Sequence, residues 1–386
     1  MAKKTETRSA AIDKATCGQI VLVLQGGGAL GAYQAGVFQA LHEAGIEPDW
    51  VIGTSIGAIN AALIAGNAPE HRLARLREFW MRMRHSPWAQ LLGTTPFVGA
   101  RAAHGLTMMG GIGGFFEPNP FAWMGPLAPL GSEGAAYYRT GALERTLSEL
   151  IDFDLLNSGS TRLSVGAAHV QSGEMRYFDS REARLDAKHI MASGALPPAF
   201  PAIRIDGELY WDGGILSNTP VEAVFDDNPR RDSLVFAVHL WSPNGPEPDT
   251  LWKVAARQKD LQYASRAASH ILRQRQIHKL RHIIGELAKQ LPEGVGSNGA
   301  IREMTGYGCL TRMHVVRLLA PNLAGEDHLK DIDFSPEGIR ARWDAGYLDT
   351  SRVLARAPWA DPHDPLEGFI LHEAHAGEIM PDDNIA

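Results

Sequence analysis

The chain has 386 residues, 45% of them hydrophobic and 21% charged, with 40 glycines and 23 prolines. That composition excludes a disordered chain and a collagen-like fibrous one, and the length suits one large α/β domain with an appendage or two ordinary domains. Its 37 Lys and Arg against 44 Asp and Glu give a net charge of −7, which argues against a generally basic nucleic-acid binder.

Residues 1–18 are polar and lack the apolar stretch of a secretory signal. No run approaches the roughly 18 consecutive apolar residues of a membrane span. Cys17 and Cys309 are the only cysteines, too few for a disulfide framework or a Cys-rich zinc site. The expectation is a soluble, cytoplasmic protein.

Residues 20–24, Ile-Val-Leu-Val-Leu, read as a buried parallel strand that stops at Gly26, Gly27 and Gly28. Over 29–44, Leu30, Tyr33, Val37, Phe38 and Leu41 recur at helical spacing, and Gly45 ends the helix. A second short strand, 50–52, runs into Gly53-Thr54-Ser55-Ile56-Gly57, and 58–65 reads as a buried helix. Strand, glycine turn and helix thus occur twice in succession, which predicts an α/β fold with a parallel sheet covered on both faces.

Residues 103–131 mix four prolines and seven glycines with Met108, Met109, Phe115, Phe116, Phe121 and Met124. This segment reads either as a mobile cover or acyl-chain surface beside a site, or as an ordinary packed or disordered loop. Strands resume at 163–167 and 175–178, followed by glycine- and proline-rich turns at 193–201 and 210–220 and a core strand at 234–240. Beyond Trp241 a helical pattern fills 251–291, with Leu261, Ala264, Ala268, Ile271, Ile277, Leu280, Ile284, Leu287 and Leu291 on one stripe. Between 252 and 290 it carries nine Lys and Arg against Asp260 and Glu286. That basic face is a candidate contact with an anionic membrane, or a solvated or ion-paired surface. From 361 onward there are seven acids and no Lys or Arg. There His372-Glu-Ala-His375 sets its histidines three apart, not the four that H-E-x-x-H requires, so it reads as solvated and no metal is expected.

Gly26-Gly27-Gly28-Ala29-Leu30-Gly31 fits G-x-G-x-x-G. A dinucleotide site also needs an acid at the far end of the second strand, whereas Asp49 precedes that strand. What remains is a cluster of backbone N–H groups beside a helix start, suited to a phosphate or an oxyanion. Gly53 to Gly57 fits G-x-S-x-G between strand and helix, a turn that pushes the Ser55 hydroxyl outward. A serine needs a base. His239 lies within an apolar core strand and reads as a packed histidine, whereas Asp212-Gly213-Gly214 puts an acid at a strand end with room for a second loop beside it. Burial next to Ser55 would raise that carboxylate's pKa enough for direct proton transfer.

These residues resemble the patatin-like phospholipases: a glycine loop on the first strand, a G-x-S-x-G elbow on the next, and a later D-G-G. Two further blocks are similar, 193–201 (Ser-Gly-Ala-Leu-Pro-Pro-Ala-Phe-Pro) and Asn218-Thr219-Pro220. The resemblance covers about 19–240 and implies a three-layer α/β/α fold with a mostly parallel sheet. It further implies a Ser–Asp dyad that cleaves lipid acyl esters without cofactor or metal. Ser55 is then the nucleophile and Asp212 the base, and the loop of Gly26, Gly27 and Gly28, with Ile56, forms the oxyanion hole. Gly31, Gly53, Gly57, Gly213 and Gly214 complete the motifs. Leu30 stands where the family commonly has Lys or Arg. The expected organisation is a polar tail (1–18), an acyl hydrolase domain (19–240), a helical accessory region (241–350) and an acidic tail (351–386). A hydroxyalkanoate polyester or oligomer esterase is the alternative substrate reading, and a non-catalytic lipid-binding scaffold the alternative from another class.

Overall fold

The computed structural model describes residues 17–84, 105, 109–125, 127–292, 299–323, 326, 328–364 and 366–374. The tail 1–16, residues 103, 104, 106–108 and 126 of the Met- and Phe-rich segment, and 375–386 with His375 lie outside these. The strands in chain order are β1 (Gln19–Leu24), β2 (Trp50–Thr54), β3 (Glu117–Pro118), β4 (Tyr138–Arg139), β5 (Arg162–His169), β6 (Met175–Asp179), β7 (Ile203–Ile205), β8 (Glu208–Asp212), β9 (Ser233–His239), β10 (Met313–Leu319) and β11 (Phe369–Ala374). The helices are α1 (Ala32–Glu43), α2 (Ile56–Ala65), α3 (Pro69–Arg82), α4 (Gly141–Leu150), α5 (Phe153–Ser158), α6 (Ala187–Ser193), α7 (Glu222–Phe225), α8 (Leu251–Lys289), α9 (Gly299–Gly306) and α10 (Pro336–Arg356).

Among the described residues, nine strands form one sheet in the order β11-β10-β9-β1-β2-β5-β8-β7, with β6 also paired to β5. From β11 to β5 neighbours run parallel, and β6, β7 and β8 join antiparallel. The apolar run read as a buried strand is β1, at the centre. Because strand side chains alternate, Ile20, Leu22 and Leu24 enter one core and Val21 and Val23 the other. The first core is covered by α1, α2 and α10, the second by α7 and α8 through Val224 and Ile271. This is the sheet covered on both faces that the pattern predicts, in the three-layer, mostly parallel α/β/α arrangement that the resemblance implies. Asp49 lies at the start of β2 and accepts the Ile20 amide (2.8 Å), far from the sheet's carboxyl edge.

The region beyond residue 241 is helical in α8, α9 and α10, and it also delivers β10 and β11 to the same sheet beyond β9. Helix α10 crosses α1 with backbones in contact. A Cβ on Gly36 would stand 1.9 Å from the Trp343 carbonyl oxygen, and one on Gly346 2.1 Å from that of Tyr33. Polar side chains lock the crossing, the Tyr33 hydroxyl donating to Asp349 (3.0 Å) and Trp343 Nε1 to Gln39 (2.7 Å).

Helix α8 has 39 residues, about 58 Å at 1.5 Å each, and touches the body over only part of that length. Of its apolar stripe, Ala264 and Ile271 are buried, whereas Leu261, Leu280 and Leu287 are 46%, 61% and 63% exposed. Among the described residues no helix is long and apolar enough to cross a membrane. One expectation needs correction. His372 is not a solvated tail residue: it lies half-buried on β11, with Nε2 3.1 Å from Nδ1 of His314 on β10. That neighbour is 58 positions away, beyond what local spacing displays.

Candidate active site

β1 and β2 end side by side, Leu24 opposite Gly53, so the turns that follow them are brought together at the carboxyl edge of the sheet. Between β2 and α2 the chain bends sharply, and Ser55 takes φ +57° and ψ −126°, a conformation non-glycine residues hold only when their surroundings enforce it. The flanking glycines are sterically required. A Cβ on Gly53 would stand 2.3 Å from the Gly57 carbonyl oxygen, and one on Gly57 2.2 Å from that of Leu24. The Ser55 amide donates to the carbonyl (3.1 Å) and hydroxyl (3.0 Å) oxygens of Ser193 at the end of α6. Ser193 Oγ in turn donates to the Gly166 carbonyl (2.6 Å).

Side chains from distant segments hold the glycine loop. The Gly26 carbonyl accepts from Trp241 Nε1 (2.8 Å) and Asn218 Nδ2 (3.1 Å). Buried Gln25 donates to Thr219 Oγ1 (2.7 Å), and its own carbonyl accepts from Gln34 Nε2 (2.6 Å). The Gly26 amide is taken by the Asn218 carbonyl (3.1 Å). Among the described residues, the amides of Gly27, Gly28 and Ile56 have no such acceptor. Gly31 lets the loop lie on α2, since a Cβ there would stand 2.6 Å from Ile56 Cγ1. Gly28 has φ +54°, and its missing Cβ leaves room for the Asp331 carbonyl oxygen, 2.2 Å from where that carbon would be.

Asp212 ends β8, 3% exposed. Its carboxylate accepts from the Gly214 amide (2.7 Å) and faces the same cavity as Ser55. Burial pushes this carboxyl up to about 6, against the opposing pull of the Ser55 side chain and the Gly214 amide. Gly213 admits the close approach of β5, because a Cβ there would stand 2.4 Å from the Gly166 carbonyl oxygen. The structure thus brings Ser55, Asp212 and the glycine loop to one place. It keeps His239 away: that ring is buried in β9, pushed down to about 3 by burial and the Arg317 charge, and is not part of the cavity wall. Leu30 also points elsewhere, into a small crevice shared with Lys330 and Arg342.

Ser55 and Asp212 open onto a cavity of about 210 Å³. Seven of its wall residues are aromatic, with Phe115 5.6 Å from Phe200 and 6.3 Å from Phe334 between ring centres. Phe115 and Phe116 belong to the Met- and Phe-rich segment, so that segment's described part forms a wall beside the serine. Among the described residues no Lys or Arg lines the cavity, and its acids are Asp212 and Asp331, the latter paired with Lys259 (2.7 Å). Trp241, Tyr263, Ile332 and Phe334 reach the cavity from beyond residue 240. No sequence signal marks them. Ser193 and Asn218 lie in blocks that carry the resemblance, but only the fold reveals what they hold.

A serine on a strand–helix elbow, sharing one cavity with a buried carboxylate and a glycine loop, is the architecture of a hydrolase of α/β fold. Comparison with known proteins narrows the class. The family model of patatin-like phospholipases matches residues 22–225, and a second, described as patatin phospholipase, matches 261–366. The chain belongs to the patatin-like phospholipase family. It is 47% identical over 267 residues to lysophospholipase nte1 of Aspergillus terreus, a match covering 62% of this chain and 15% of that protein. It is also 42% identical over 66 residues to triacylglycerol lipase ptl3 of Schizosaccharomyces pombe, covering 17% of this chain and 14% of that one. Among solved structures, VipD from Legionella pneumophila aligns over 92% of this chain and 72% of its own at 16% identity, with a TM-score of 0.40. The chain therefore spans only a small part of its first curated relatives.

Proposed function

We propose that this chain hydrolyses acyl esters of lipids, with Ser55 as nucleophile and Asp212 as general base. The observation that carries the reading is that Ser55 and the buried Asp212 carboxyl face one cavity, with that carboxyl raised to about 6, near the pKa a base needs at neutral pH. Ser55 Oγ attacks the ester carbonyl while Asp212 takes its proton. The amides of Gly27, Gly28 and Ile56 receive the oxyanion. Collapse expels the alcohol, which leaves with the proton from Asp212, and water activated by the same carboxylate releases the fatty acid from acyl-Ser55. The aromatic cavity accommodates the acyl chain. The relatives named lysophospholipase point to a single-chain phospholipid as substrate. A cavity wall without Lys or Arg among the described residues favours, as a second reading, an uncharged ester such as a hydroxyalkanoate oligomer.

The test is fluorophosphonate labelling together with fatty-acid release from a lysophospholipid. Labelling of the wild type and not of Ser55→Ala, with release lost in Ser55→Ala and Asp212→Asn, is expected. Retained release in Ser55→Ala overturns the assignment of Ser55, and a wild type that neither labels nor releases fatty acid leaves a lipid-binding scaffold. Cleavage of hydroxyalkanoate oligomers in place of the lysophospholipid selects the second substrate.

A further inference from the structure

At the sheet's outer edge, remote from Ser55, three histidines converge. His314 is on β10, His372 on β11, and His363 on the segment leading into β11. Their nearest ring nitrogens all lie within 4.8 Å of one another. His314 and His372 are stacked with planes 3° apart, and the His363 ring centre is 4.9 Å from that of His314. His314 is buried and the other two half-buried. The Nε2 of His363 is shielded from solvent and makes no hydrogen bond among the described residues. A buried nitrogen without a partner is costly, and its presence calls for an explanation.

We propose that His314, His363 and His372 form a binding site for one transition-metal dication of the zinc class. Imidazole nitrogens around zinc at about 2.0–2.1 Å stand roughly 3.3–3.6 Å apart, so small side-chain rotations close the triad on an ion. An all-imidazole donor set suits zinc, cobalt, nickel or copper and disfavours calcium and magnesium, which take oxygen ligands. In the His314–His372 hydrogen bond one ring lends its N–H to the other. For both nitrogens to face an ion, the donor ring carries its proton on its other nitrogen, so two neutral rings bind without net proton release. The fourth position falls to water; the Asp361 charge acts favourably on His372, while Arg312 and Arg356 oppose the cation. The ion would tie the outermost strand, β11, to β10 across a loop of 58 positions, protecting an edge otherwise prone to fraying.

The test uses the full chain, stripped with a chelator, reloaded separately with zinc and cobalt chlorides, and assayed for bound metal after dialysis. The wild type is expected to retain one ion per chain and to melt at higher temperature with zinc. His363→Ala and His372→Ala are each expected to weaken retention by about tenfold or more and to lose the thermal shift. Retention in both variants equal to the wild type overturns the site, as does a wild type that retains none. His363→Asn, which preserves polarity and size better, guards against misfolding. The cobalt absorption spectrum of the wild type gives a reading independent of any variant: bands of low-coordinate nitrogen ligation support the site, and those of hydrated cobalt refute it.

Discussion

Asp212, the proposed base, also bears on stability. A carboxyl moved from 3.8 to about 6 by burial costs the folded state on the order of 3 kcal/mol once ionised, at about 1.4 kcal/mol per pH unit. The folded chain holds this proton more tightly than the unfolded one. Its contribution is therefore fully present below pH 3.8 and is lost as pH rises through about 6. Asp212→Asn is expected to raise the melting temperature at pH 8 and to change it little at pH 3.5, by calorimetry at both values. The same substitution should lower kcat/KM by about 10²–10⁴-fold. In the wild type kcat/KM should fall with unit slope below about pH 6; a profile flat from pH 5 to 8 excludes Asp212 as the base. The turns that carry Ser55 and Asp212 are legible in the sequence, because glycines that flank Ser55 and follow Asp212 mark sharp bends at strand ends. Ser193 is not: a serine that holds another residue's amide across 138 positions leaves no local pattern.

Among elements, the first two strand–helix units declare themselves through continuous apolar runs and glycine stops, and the structure places them where the pattern predicts. β10 and β11 do not. In β10, Met-His-Val-Val-Arg-Leu-Leu, one side of the strand carries His314, and a parallel partner far along the chain supplies the burial that composition fails to signal. The α1–α10 crossing is likewise hidden, since its signature is two glycines about 310 positions apart. Gly36→Ala is expected to destabilise the whole protein by about 3 kcal/mol, because its new carbon has only the Trp343 carbonyl to enter. Gly306→Ala, whose carbon meets nothing within 4 Å, should stay within about 0.5 kcal/mol of wild type. Chemical denaturation of the two variants compares them directly.

Across the whole molecule, the later region is continuous with the earlier one in the sheet, in the α1–α10 crossing and in the cavity wall. The boundary expected at 240 falls within one continuous sheet. A chain ending at 241 is expected to precipitate or to melt without cooperativity, because it leaves the β9 edge and the α1 face bare; a soluble, cooperatively melting fragment would show that the first 240 residues stand alone. The exposed leucines of α8, Leu261, Leu272, Leu280 and Leu287, fall within about a 100° arc at 100° per residue, on a helix rich in Lys and Arg. Four of its basic residues, Lys253, Lys259, Arg275 and Lys289, are ion-paired within the chain, as the paired reading of the basic face expects, so contact with an anionic membrane is a proposal that rests on the leucine stripe. Leu272→Ser with Leu280→Ser is expected to weaken binding to anionic vesicles about tenfold, with turnover of a soluble p-nitrophenyl ester unchanged; vesicle co-sedimentation measures it.

The aromatic wall that faces Ser55 is assembled from both halves of the chain, with Phe115 and Phe200 from one and Phe334 from the other. The proposed reacting groups all precede residue 215. On that reading the bond-breaking groups lie in one stretch and the wall draws on both, so a substitution at Phe334 is expected to alter which acyl tails fit while leaving Ser55 and Asp212 in place.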